Sequence, residues 1–193
     1  MARKPDLSEV VLATRSVLPP GDRPSLLLVD KPASVTSFSV VKRIRFLSGI
    51  RKVGHSGTLD PMATGLLIVM LGRATRLMDS LLKLDKSYEG IMRLGERTPS
   101  FDAETPVVER RDASGVSLSD LRSTVATYVG TIEQETPVYS AVKVSGERLY
   151  RKARRGDTVV LPKRIVDVHR FEVERLSERD VSFRVDCSSG TYI

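Results

Sequence analysis

Gly54-His55-Ser56-Gly57-Thr58-Leu59-Asp60-Pro61-Met62-Ala63-Thr64-Gly65 is the stretch on which the reading of this chain turns. Three glycines, one proline, one histidine and one carboxylate fall within it, and the apolar run 66–71 follows at once. So many chain-bending residues mark a loop, and the apolar run behind it reads as a buried strand. A shaped loop carried on a rigid strand is where binding and catalytic groups tend to be placed.

Working outward, 26–29 reads as a short apolar strand that Asp30-Lys31-Pro32 ends. Thr36 or Ser37 can cap a helix whose Val40, Val41, Ile44 and Leu47 share one face, with Gly49 near its end. Lys42, Arg43 and Arg45 lie on that helix, and Arg51 and Lys52 follow it. Beyond the loop, the pattern predicts a helix over 74–84, a strand over 88–94 and a polar loop holding Thr98, Pro99, Ser100 and Asp102. Ser117 and Asp120 form a capping signal for a helix in which Leu118, Leu121, Val125 and Tyr128 repeat at helical spacing.

A strand is expected over 138–144, then a Ser145-Gly146 turn and a short basic helix over 148–155 that carries Tyr150. The last strands are 165–176 and the run in which Val181, Phe183, Val185 and Cys187 alternate with polar residues, the signature of a sheet with one buried face. Residues 1–24, with Pro5, Pro19, Pro20 and Pro24, show no sustained period and read as an N-terminal extension, so one compact unit is expected over 25–193.

Thirty-one Lys and Arg against 24 acidic residues give a net charge of +7 and a pI near 9.7, a balance suited to a polyanionic partner or simply to a basic, soluble surface. The single cysteine excludes an internal disulfide and leaves too few thiols for a zinc site, which fits a reducing, cytosolic compartment. No secretory apolar region follows Arg3 and Lys4, and no run approaches a membrane span. With two histidines, no phosphate-binding glycine loop and no dinucleotide fingerprint, the chemistry is expected to rest on side chains alone.

Taken locally, each candidate has two readings. Asp60, pushed toward extended geometry by Pro61, suits a nucleophile, a base or a ligand, and equally an Asp-Pro turn. His55 suits a general base or a hydrogen-bonded loop residue. Cys187 and His169 fall on strand patterns and read as structural.

The stretch 54–65 closely resembles the catalytic motif of the bacterial TruB family of tRNA pseudouridine synthases. Supporting matches run in order along the chain: Leu28-Val29-Asp30-Lys31-Pro32, Gly72-Arg73-Ala74-Thr75-Arg76, Lys86-Ser87-Tyr88 and Gly95-Glu96-Arg97-Thr98. They continue with Pro137-Val138-Tyr139-Ser140-Ala141-Val142-Lys143 and Cys187-Ser188-Ser189-Gly190-Thr191-Tyr192-Ile193, so the resemblance covers about 25–193.

The resemblance implies an α+β pseudouridine synthase catalytic domain, a mixed and largely antiparallel sheet flanked by helices. It implies an isomerase that converts uridine 55 of the tRNA T-loop without cofactor or metal, with Asp60 on the nucleophile position. His55 falls on the residue that holds the opened T-loop, Tyr88 on the aromatic that packs on the target base and Tyr192 on a second base-pocket tyrosine. Arg76 is a candidate for the cation that keeps Asp60 ionised, or for a phosphate contact. Asp102 matches a loop that approaches RNA, although a loop cap explains it equally well.

Basic residues on 42–52 and 148–155 would track the RNA backbone, or form a solvated face. The expected partner is the tRNA T-arm, with no membrane and the protein a monomer. In the family an arginine that pairs with the catalytic carboxylate follows directly on the equivalent of Ile193. A further helix and, in many members, a C-terminal RNA-binding domain come next, so the domain is expected to be incomplete here. The alternative is a tRNA-binding or tRNA-folding protein without chemistry.

Overall fold

A computed structural model of the chain describes residues 11–13, 23–137, 143–144, 147–148 and 161–193. They divide into two compact units, 1–84 and 85–193, each with its own sheet and its own apolar clusters, where the composition showed a single unbroken stretch.

The first unit is built on a four-stranded sheet of β1 (Val11–Ala13), β2 (Ser25–Lys31), β3 (Val53–His55) and β4 (Gly65–Leu71), in the order β1-β2-β4-β3. Only β1 and β2 run parallel; β4 is antiparallel to both its neighbours, with Leu27 opposite Val69 and Val53 opposite Leu71. Helix α1 (Ser37–Ser48) begins on Thr36, whose hydroxyl accepts the Ser39 N–H, and ends at Gly49 in the left-handed conformation.

Val40, Val41 and Ile44 of α1 close over Leu27, Val53, Leu67, Val69 and Leu71 to form the main core. Leu47 does not join them as the face pattern predicts and stays 54% exposed, because the three-residue strand β3 gives that end of the helix little to cover it. A second cluster of Leu26, Met70 and Ala74 is covered by Ile68, Met78 and Leu81. The helix expected over 74–84 is instead a 3₁₀ turn, Gly72–Leu77, leading into the short α2 (Met78–Leu82). The tighter turn brings Ala74 fully into the cluster, and Thr75 donates its hydroxyl back to the Gly72 carbonyl at 2.8 Å.

In the second unit β5 (Lys86–Arg93) leads to the ribbon β6 (Glu96–Arg97) and β7 (Glu109–Arg110), then to α3 (Leu118–Ala126) and β8 (Gly130–Glu135). A second short ribbon, β9 (Lys143–Val144) with β10 (Glu147–Arg148), precedes the long strands β11 (Lys163–Arg175) and β12 (Asp180–Cys187). The main sheet has the order β5-β12-β11-β8 and is antiparallel throughout, with Tyr88 opposite Val185 and Val185 opposite Phe171. The α+β class and the antiparallel bias are therefore as the sequence predicts.

Ser117 and Asp120 form a reciprocal capping box on α3, and Leu121 and Val125 bury against Val173 and Val181. Tyr128, expected on that helix, lies past its end and is half-exposed, its ring edge-on to Phe171 at 6.3 Å. His169 is the extra residue of a bulge in β11, and its Nε2 lies 3.3 Å from Asp85. The strand expected at 138–144 lies mostly outside the described residues, as do the 145–146 turn and most of the 148–155 helix; the described remainder, 143–144 and 148, is ribbon strand.

Candidate active site

In the first unit the loop between β3 and β4 carries Asp60. The Asp60 carbonyl accepts the Ala63 N–H at 3.1 Å, a turn with Pro61 at its second position, so the turn reading of the backbone holds. The Asp60 side chain is exposed. Three anchors hold this loop in place.

Leu59, the residue before Asp60, packs its side chain on the main core of the unit. Its N–H donates to the Ser37 hydroxyl at 2.9 Å, and that hydroxyl donates back to the Leu59 carbonyl at 3.0 Å, tying the loop to the first turn of α1. On the other side, Pro61 is tied by Lys31, a lysine with no exposed surface. The Lys31 ammonium donates to the carbonyls of Pro32 at 2.9 Å, Val35 at 2.7 Å and Pro61 at 3.2 Å, which accounts for all three of its N–H bonds. Asp60 is thus presented to solvent from a backbone fixed on both flanks, the preorganisation that a reacting group needs.

His55 ends β3 opposite Val69. Its Nδ1 is 2.6 Å from the Gly57 carbonyl and 3.4 Å from the Gly57 N–H. A carbonyl only accepts, so in the shorter contact Nδ1 is the donor to Gly57. Arg76 lies exposed on the 3₁₀ turn that follows β4.

The other candidates belong to the second unit. Tyr88, half-buried on β5, packs against Val168, Val185 and Cys187. Burial pushes the Cys187 thiol up, as suits a structural cysteine. Tyr192 is fixed by a side chain that sequence reasoning missed: the Gln134 amide takes the Tyr192 N–H at 2.9 Å and donates to its carbonyl at 2.7 Å. The Arg164 guanidinium lies 5.5 Å over the Tyr192 ring.

Tyr88 is on one edge strand and Gln134 on the opposite edge strand. By strand alternation Gln134 shares the sheet face of Ile132, which packs in the same cluster as Tyr88. A neutral amide whose bonding partner lies 58 residues away carries no periodic signal, so nothing in the pattern marked Gln134.

Asp102 lies in the loop between β6 and β7. Its carboxylate accepts the Ser100 hydroxyl at 2.5 Å and the Glu104 N–H at 2.9 Å, while its carbonyl accepts the Thr98 hydroxyl at 2.6 Å. The loop-cap role is thus present in the geometry. Beside it Phe101, in a left-handed conformation with φ 63° and 71% exposed, stands under the Arg97 guanidinium at 5.7 Å. The apolar groove lined by Val125, Val129, Phe171 and Phe183 contains none of the candidates. Among the described residues no group of three His, Cys, Asp or Glu is placed to hold a metal ion, and no helix is long and apolar enough to cross a membrane.

The fold is that of the pseudouridine synthases. A solved structure of a Cbf5–Nop10–Gar1 complex matches it with a TM-score of 0.64 and 32% identity, over 87% of this chain and 40% of that one. An H/ACA RNP bound to a substrate RNA containing 2'-deoxyuridine matches with a TM-score of 0.60 and 28% identity, over 86% and 38%. Within that class, the model of the TruB family pseudouridylate synthase N-terminal domain matches residues 45–193, and the chain belongs to this family.

Relatives named tRNA pseudouridine synthase B are 49% identical in Mycobacterium sp. (strain KMS), over 172 residues, and 48% identical in Thermobifida fusca (strain YX), over 176 residues. Each alignment covers 87% of this chain but only 58% and 60% of the relative, so the chain spans little more than half their length.

Proposed function

We propose that this chain is the catalytic part of a tRNA pseudouridine synthase that isomerises uridine 55 of the T-loop, with Asp60 as the nucleophile. The observation that carries the reading is the loop itself: within a family of pseudouridylate synthases, an exposed carboxylate sits on a backbone pinned by Leu59, Ser37 and Lys31. Such a group needs no cofactor. Its carboxylate either adds to the uracil ring or helps detach it from the ribose, after which the base turns and rejoins through carbon.

A uridine stacked in a loop is reached only after flipping out, which costs a few kcal/mol, and stacking on an aromatic ring returns about 1–3 kcal/mol per base. Tyr88 and Tyr192 supply such rings in this reading, and His55 helps hold the opened loop. Arg76 supplies positive charge to Asp60 or to phosphate, and Asp102 shapes a loop that meets the RNA. A monomer acting in the cytoplasm, with the tRNA T-arm as partner, belongs to the same reading.

The test supplies a T-arm hairpin tritiated at uracil carbon 5. A polypeptide that continues past Ile193 is expected to release tritium, and Asp60→Asn to abolish release while RNA binding is kept. Equal release from the Asn variant would remove Asp60 from the chemistry. Binding without release by the parent would favour the RNA-binding alternative.

A further inference from the structure

We infer that the outer face of α1 is an RNA-contacting surface, on which Phe38 and Phe46 take nucleobases and Lys42 and Arg43 take the phosphates beside them. This rests on the reading of the protein as an RNA-modifying enzyme and adds where the substrate runs. Phe38, Lys42 and Phe46 occur at i, i+4 and i+8 and form one row along the helix; Ser39, Arg43 and Leu47 form the row beside it. Phe38 is 53% exposed, Phe46 78% and Leu47 54%. Single exposed apolar side chains are ordinary, but two phenylalanines in one row separated by a lysine are a patterned surface.

Each ring has its own cation: the Lys42 ammonium lies 5.1 Å from the Phe38 centroid, and the Arg43 guanidinium 5.7 Å from that of Phe46. Arg45, by contrast, is engaged inward, donating to the Val53 carbonyl at 2.8 Å.

Charge selects the occupant. From residue 31 to residue 59 the chain holds Lys31, Lys42, Arg43, Arg45, Arg51 and Lys52 and not one acidic residue. Flat apolar rings alternating with cations of one sign match a nucleic acid, which offers a π-face and a phosphate at every nucleotide. An acidic protein surface would complement the cations and leave the rings without a partner of their own kind.

Position selects the RNA. Phe38 directly follows Ser37, whose hydroxyl bonds Leu59, the neighbour of Asp60. The row therefore starts beside the loop that carries the proposed nucleophile and extends about 12 Å along α1 to Phe46. Nucleotides flanking the target uridine are the segment that this face would meet.

The test measures binding of the 193-residue chain to a T-arm hairpin and to whole tRNA across a range of salt concentrations. Phe46→Ala and Phe38→Ala are each expected to weaken binding at least about fivefold with little change in salt dependence, and Phe46→Tyr to restore it. Lys42→Ala is expected to lower the slope of log K against log salt by about 0.7–0.9. All four side chains are exposed, so unchanged thermal unfolding of each variant serves as the folding control.

RNA affinities equal to the parent in Phe46→Ala and Lys42→Ala overturn the inference, as does self-association of the parent that Phe46→Ala abolishes while RNA binding stays unchanged. A parent that binds no RNA overturns this inference together with the enzyme reading. Weaker binding in the row variants, with no tritium release from the longer polypeptide, leaves the RNA surface standing and removes only the chemistry.

Discussion

Lys31 has no exposed surface, and three backbone carbonyls surround its ammonium, one of them from Pro61 in the Asp60 loop. Lys31→Met keeps the apolar stem but leaves those carbonyls without a donor, so it is expected to cost about 2–4 kcal/mol of stability in urea unfolding. A loss under about 0.5 kcal/mol would mean that water takes over the three carbonyls. Two glycines make a second test at this scale.

A Cβ on Gly90 would lie 2.6 Å from the Phe183 ring, whose swing is limited by Phe171, edge-on at 6.4 Å. On Gly54 it would lie 2.7 Å from the terminal methyl of Met78. A ring wedged in a cluster yields less than the end of a flexible methionine, so Gly90→Ala is expected to cost about 1–3 kcal/mol and Gly54→Ala clearly less. Equal losses would show that the Phe183 ring moves as easily as the Met78 methyl. The glycines and Lys31 are all visible in the sequence, but not what they touch: the Lys31–Pro61 bond spans 30 residues.

Helix α3 shows the opposite case, because its cap is local. Ser117→Ala is expected to lower stability by about 1 kcal/mol in thermal or urea unfolding. The Ser117 hydroxyl and N–H, donating to the Asp120 carboxylate at 2.6 Å and 2.9 Å, hold its pKa below the ordinary carboxylate value. A hydrogen bond from Arg93 does the same for Asp180, and one from Ser87 for Asp186.

For a carboxylate whose pKa is lower folded than unfolded, the stabilisation is present above the unfolded value and is lost as pH falls through the folded one. The melting temperature should therefore fall as pH drops below about 4, and Asp120→Asn should flatten that fall. An unchanged pH profile in the Asn variant would exclude Asp120 as a contributor. Both α1 and α3 were legible from caps and spacing, and β12 from alternation. The 3₁₀ turn at Gly72–Leu77 was not, because the demand to seat Ala74 between Leu26 and Met70 comes from another strand.

For the whole molecule, the excess of seven positive charges is the property an RNA would meet first. The affinity for T-arm RNA is expected to fall steeply and linearly on a log–log plot against salt, each phosphate contact contributing about 0.7–0.9 to the slope. A flat plot would show that the basic balance serves solubility alone. The two units each close their own core, around Val41 and Val69 in one and around Leu121 and Val181 in the other.

The sequence by itself determined the punctuated loop with Asp60, the family that this loop marks, the capped helices and the sheet with one apolar face, since each is written in residues a few positions apart. Tertiary structure alone decided how the loop is held and what fixes Tyr192. Those ties join Ser37 to Leu59 across 22 residues, Lys31 to Pro61 across 30 and Gln134 to Tyr192 across 58, separations at which no local period survives.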